Sequence, residues 1–128
     1  MMEEALRALL IGHAPLTDLV TPDSIVWNHL PQSVARPAIV LFKIAGVPGL
    51  TQQGSDGLEG AVVQIDVQAT TVEGMWAIKR ALMALLHSHR SAALPGIFAR
   101  AERQSSEELA GIGLIHRASL DFNVWAPA

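Results

Sequence analysis

The chain has 128 residues, half of them hydrophobic and 16% charged, with a formal net charge of −3. That length suits one domain, 1–128, since halving it would leave neither part enough core, and that composition excludes a disordered chain. Its nine Lys and Arg are scattered, which excludes a basic footprint for gripping phosphates, and the absence of cysteine excludes disulfides, thiolate metal sites and a cysteine nucleophile.

From the N-terminus, Met2 to Ile11 places Met2, Leu6, Leu9 and Leu10 on one helical face and Glu3, Glu4 and Arg7 on the other. The acids fall in the first turn, where the helix dipole favours them, and Gly12 supplies a stop. An acidic start is the wrong sign for a signal peptide, and no apolar run approaches the roughly 20 residues that span a bilayer. The expectation is a protein without membrane contact. Pro15 and Pro22 punctuate a connector in which Thr17 and Asp18 can start a short helical turn covering Leu19 and Val20, and Ser24 to Leu30 reads as a strand bounded by Pro31.

Ala38 to Ala45 is apolar at nearly every position, with Lys43 its only charge. Such a run predicts a strand covered on both faces, by its own domain or by a neighbouring subunit. Gly46 to Gly60 then turns glycine-rich and polar; its fifteen residues exceed the roughly two to five usual between paired strands, which marks it as either a functional loop or a mobile hairpin tip.

The second half carries the clearest patterns. Val63, Ile65, Val67 and Ala69 alternate with Gln64, Asp66, Gln68 and Thr70, as expected of a strand with one buried face. Met75, Ile78, Leu82, Leu85, Leu86 and His89 recur at helical spacing. Ile97 to Arg103 reads as a strand, Gln104 to Gly113 as a polar connection, and Leu114 to Trp125 as a last strand. In that strand Leu114, Ala118, Leu120, Phe122 and Val124 oppose Arg117, Ser119, Asp121 and Asn123. This order predicts an α+β fold, a mostly antiparallel sheet with helices packed on one face. Leu120 and Phe122 should share an interior with Ile65 and Val67 beneath Ile78, Leu82 and Leu85. Strand order is left open.

Chemical motifs are scarce. His87 and His89, two apart in a helical pattern, point about 160 degrees from one another and cannot chelate one ion; as helix-end residues they suit the last carbonyls. His116 falls on the apolar side of the last strand, a place for a hydrogen-bonded core or interface histidine. Gly54-Ser55-Asp56-Gly57-Leu58-Glu59-Gly60 resembles a phosphate cradle only superficially, because it lacks a lysine and precedes a strand. Asp66 and Asp121 share polar faces with Arg117, which suggests either solvated charges or an ion pair of Arg117 with Asp121. No catalytic residue, cofactor site or metal site is expected. Trp76 beside the helical stripe and Trp125 on a polar strand face suit rim packing or subunit contacts, where Trp is enriched.

Several phrases together resemble the tail completion or tail terminator family of long-tailed bacteriophages and phage-like gene transfer agents. They are the opening helix Met2 to Leu10, Ile25 to Gln32, Arg36 to Leu41, Val63 to Ala69, and the ending His116 to Trp125. The resemblance implies a virion structural protein that assembles as a hexameric ring at the head-tail junction, stops growth of the tail tube and joins tail to head. Implied partners are further copies of the chain, the tail tube protein and head-tail connector proteins, with assembly in the host cytoplasm and no sequence-specific nucleic acid contact. Another neck ring component is the nearest alternative; a small α+β ligand-binding or enzymatic domain is the alternative from a different class. The candidate docking loop contains Gly46, Gly49, Gln52, Gln53, Gly54, Ser55, Asp56 and Gly57. The candidate subunit interface contains Ile39, Val40, Leu41, Phe42, Trp76 and Trp125.

Overall fold

A computed structural model describes residues 2–31, 34, 36–47 and 58–127. Helix α1 (Met2–Ile11) is followed by a single turn α2 (Ala14–Thr17), a 3-10 turn (Pro22–Ser24), β1 (Ile25–Trp27), β2 (Ala38–Val47), β3 (Leu58–Ala69), α3 (Val72–Leu86), β4 (Gly96–Leu109) and β5 (Gly113–Pro127). The strands form one sheet in the order β1-β2-β3-β5-β4. Only β1 and β2 run parallel; the other three pairings are antiparallel. The fold is α+β, as the sequence predicts. The strands flanking α3 are not neighbours, because β5 inserts between β3 and β4.

Alternation along β3 decides which face is buried. Val63, Ile65, Val67 and Ala69 are buried in the core, while Gln64 and Asp66 on the opposite side remain half-buried. Register carries that choice across the sheet: Ile65 lies between Leu41 and Leu120, and Val67 between Ile39 and Ala118. A shift of one residue in either pairing would turn these rows to solvent. Helix α3 supplies Met75, Ile78, Leu82 and Leu86, and α1 supplies Leu6 and Leu10, to the same hydrophobic cluster. All three helices therefore bury against one side of the sheet.

Local chemistry explains the ends of α3. Thr71 has extended backbone geometry and its hydroxyl accepts the Gly74 N–H at 3.0 Å, the expected N-cap arrangement. At the other end His87 is already extended, and Ser88 has φ 67°. The helix thus stops at Leu86, short of His89, and Leu85 is only half-buried.

Several boundaries differ from expectation. The first helical connector begins at Ala14, because Pro15 suits the opening turn, and the strand read as Ser24 to Leu30 is confined to Ile25–Trp27. Strand β2 is buried over Ala38 to Leu41, but Lys43 and Ile44 are exposed, so its hydrophobic run is not covered on both faces throughout. Gln104 to Leu109 is strand, not connection. It continues β4, and Gly111 and Gly113, at φ 79° and 103°, make the tight turn into β5. Alternation failed there because residues 101–108 are exposed on both faces, so nothing selects apolar residues for either. Leu114 is 52% exposed for the same reason, since it lies out on this hairpin beyond the helices.

Trp125 solves a packing problem at the other end of the sheet. It pairs with Gly60 on β3 and with Gly96 on β4. A Cβ on Gly60 would lie 2.8 Å from Trp125 Cζ3, and one on Gly96 would lie 3.4 Å from Trp125 Cδ1. The indole lies over both glycines and replaces the side-chain packing that they cannot make.

Two measurements check this account. Phe122 is 1% exposed, so Phe122→Ala should destabilise the protein by about 3–5 kcal/mol, seen as a large fall in melting temperature; an unchanged melting temperature would contradict the core assignment. Gly60→Ala should destabilise it by about 1–3 kcal/mol through overpacking. In a Trp125→Ala background that penalty should largely vanish, which a denaturation double-mutant cycle measures.

Candidate assembly surfaces

One sheet edge is closed by α1. The Arg7 side chain donates from Nε to the Ile25 carbonyl at 2.9 Å and from Nη2 to the Pro22 carbonyl at 3.1 Å. Trp27 Nε1 donates to the Glu3 carbonyl at 2.9 Å. These bonds clamp α1 beside the short strand β1 and occupy its Ile25 carbonyl. Strand β1 covers β2 only from Ile39 to Leu41, however. From Phe42 to Val47 the outer edge of β2 carries no strand among the described residues.

The opposite edge is β4, and it is closed at one end only. His89 forms a bridge with Ile97, the Ser88 N–H donates to the Ile97 carbonyl at 2.8 Å, and the His87 Nδ1 accepts the Ala99 N–H at 3.1 Å. His87 also meets Phe98 edge-on, with ring centroids 6.4 Å apart. The two histidines thus cap a strand edge rather than bind helix carbonyls through their side chains. Beyond the irregularity between Ala99 and Ala101, no strand pairs with the outer edge of β4 among the described residues.

The helix-free face of the sheet is a polar network. Asp66 accepts from Ser119 Oγ at 2.7 Å and from Gln64 Nε2 at 2.8 Å. Arg103 donates through Nη1 and Nη2 to the Asp121 carboxylate at 3.2 and 3.3 Å, and Arg117 pairs with Glu107 at 2.8 Å. The expected Arg117–Asp121 pair does not form. Four residues along a strand separate side chains by about 13 Å, whereas partners across neighbouring strands lie about 5 Å apart. On the opposite, helix side of the sheet, His116 is half-buried and hydrogen-bonded to Ser106 Oγ at 2.9 Å. Among the described residues no group of three or more His, Asp or Glu could hold a metal ion, and no helix is long and apolar enough to cross a membrane.

The candidate interface residues divide sharply. Ile39 and Leu41 are 0% exposed and belong to the subunit's own core beneath the helices, so they are removed from any surface role. Val40, on the other face, is also buried. Phe42 and Trp125 are half-buried, and Trp76 is 42% exposed. Of the candidate docking loop, Gly46 lies in β2; Gly49, Gln52, Gln53, Gly54, Ser55, Asp56 and Gly57 lie outside the described residues. Sequence reading missed the outer half of β4. A signal was available, since a strand running from Leu114 to Trp125 after Gly111 and Gly113 needs an equally long partner before that turn.

The described residues give the sheet one helix-covered face, one polar face and two edges that no strand fills along their whole length. The family model described as "Tail completion protein gp17" matches residues 4–126. The chain belongs to that family of phage tail structural proteins. A chain of the solved structure "Virion of native gene transfer agent (GTA) particle" has the same fold, with a TM-score of 0.63 and 19% identity over 99% of this chain and 98% of that one. Comparison with curated protein sequences found no match.

One contact on β4 gives a pH-dependent prediction. Hydrogen bonds from Lys79, at 2.7 Å, and from Gln104 hold the Glu102 carboxyl below its ordinary pKa. A lowered folded-state pKa means stabilisation that is present above the unfolded value and lost as pH falls through the folded one. Glu102→Gln should therefore destabilise the protein at neutral pH, by less than about 1 kcal/mol because the pair is largely solvated. Denaturant titrations should show the difference disappearing in strong acid.

Proposed function

We propose that the chain is the tail terminator subunit of a phage or phage-like particle. It assembles as a hexameric ring on the head-proximal end of the tail tube, ends tube growth and presents the surface to which the head joins. Its partners are its own copies, the tail tube protein and head-tail connector proteins. The observation that carries this reading is the family match across residues 4–126, which leaves almost none of the chain for another activity. The fold shared with a chain of a gene transfer agent virion supports the same setting.

The surface is suited to that place. A neck ring must let DNA pass without retaining it, and fixed phosphate contacts would slow passage. On the helix-free face Arg103 and Arg117 are already neutralised by Asp121 and Glu107, and Arg36 is hydrogen-bonded to Gln68 at 3.2 Å. The connection between β2 and β3 is the proposed arm toward the tube. Its polar, glycine-rich sequence has too little apolar content to form a core of its own.

Replacing residues 48–59 with Asn-Gly would join the paired residues Val47 and Gly60 by a two-residue turn. This variant should keep a melting temperature close to that of the parent yet fail to complete tails. Normal-length tails joined to heads would remove the docking role. A symmetry-free reconstruction of purified tails should show a sixfold ring of this chain on the tube's upper end. A ring elsewhere in the neck would reassign the protein to another neck component.

A further inference from the structure

The two open strand edges lie on opposite sides of one sheet, and their chemistry matches. Resting on the ring reading, we propose that the outer edge of β4 in one copy pairs antiparallel with the Phe42–Val47 edge of β2 in the next, so that the sheet continues from subunit to subunit.

Direction is the first support. Successive antiparallel pairings of β2 with β3, β3 with β5 and β5 with β4 leave β2 antiparallel to β4. A second copy placed edge to edge, with the same face up, therefore brings its β2 alongside β4 in the antiparallel sense that predominates within the subunit. Such a contact joins two different surfaces and is heterologous, the kind that closes into rings.

Side chains supply the register. In β2, Lys43 lies opposite Val63 and so on the helix side of the sheet, while Phe42 lies opposite Gln64 on the other side. In β4, Glu102 lies opposite Leu120, which puts the even-numbered residues from 102 onward on the helix side. Lys43 and Glu108 are both exposed, and among the described residues neither makes an ion pair. Setting Lys43 opposite Glu108 also sets Phe42 opposite Leu109 on the other face. One register thus pairs an unmatched cation with an unmatched anion and an aromatic with an aliphatic residue, each on its correct side.

Among the described residues, other contacts occupy the remaining stretches of both edges. Arg7 and Trp27 fasten α1 beside β1, and His87 to His89 cap β4 near Ile97 and Ala99. Glutamates at 107 and 108 also discourage pairing of β4 with a copy of itself, since like charges directly opposite are destabilising.

The chain has no cysteine, so Lys43→Cys with Glu108→Cys introduces a unique thiol pair. Purified tails carrying this double variant, treated with a short bifunctional thiol reagent, should give a ladder of covalent oligomers on a denaturing gel. Either single variant should stay monomeric. Quantitative mass spectrometry of the same tails gives the copy number: several copies without a ladder would overturn the strand pairing alone, and a single copy would overturn the ring as well. As an independent measurement, Lys43→Glu and Glu108→Lys should each weaken association by on the order of two- to fivefold per interface. Combining them should restore it, and a combined variant no better than the singles would also overturn the pairing.

Discussion

Everything in this subunit depends on one constraint: β3 can bury only one of its faces. Val63, Ile65, Val67 and Ala69 are fixed beneath the helices, and the register with β2 and β5 passes that choice to Leu41, Ile39, Leu120 and Phe122. Because β3 is paired along nearly its whole length on both sides, it cannot slip without exposing all of these rows together. Helix α3 reads the resulting apolar surface with Met75, Ile78, Leu82 and Leu86, and α1 extends the cover toward β1. The other face is left polar, and several of its groups bond one another across strands, although among the described residues the buried Arg117 Nε has no hydrogen-bond partner.

That asymmetry determines what the surface can do. Polar groups on the helix-free side would be costly if buried without partners; Gln64 and Ser119 bond Asp66 in one group, and Arg103 bonds Asp121 in another. Arg103 and Arg117 on this face are paired with Asp121 and Glu107. Among the described residues, the backbone without a neighbouring strand instead lies at the sheet's margins, in β2 beyond β1 and in β4 beyond Ala99. Exposed edges of this length are a hazard for an isolated protein and a resource for one that works in a ring.

How much of this was legible in the sequence follows from where one-sided burial operates. Val63 to Ala69 and Ala118 to Val124 showed their faces plainly, because each apolar position meets the helices and each polar one does not. Gln104 to Leu109 hid its strand character, because neither side of it meets a core. Ile39 and Leu41 misled in a different way: their hydrophobicity was real but serves the subunit's own interior. His87 and His89 were read as helix-end residues, yet Ser88 at positive φ turns them onto the β4 edge. Trp125 was recognised as breaking the pattern; its two glycine partners on adjacent strands could be known only from the register. Family membership was legible because short structural phrases are spread through nearly the entire chain.

Whether the chain completes tails is measured most directly in particles made without it. Electron microscopy of lysates from cells in which the coding sequence is deleted should show filled heads unattached to tails, together with tubes longer than normal. Restoring the intact chain should return both length and joining. Normal tails attached to heads in its absence would contradict the account.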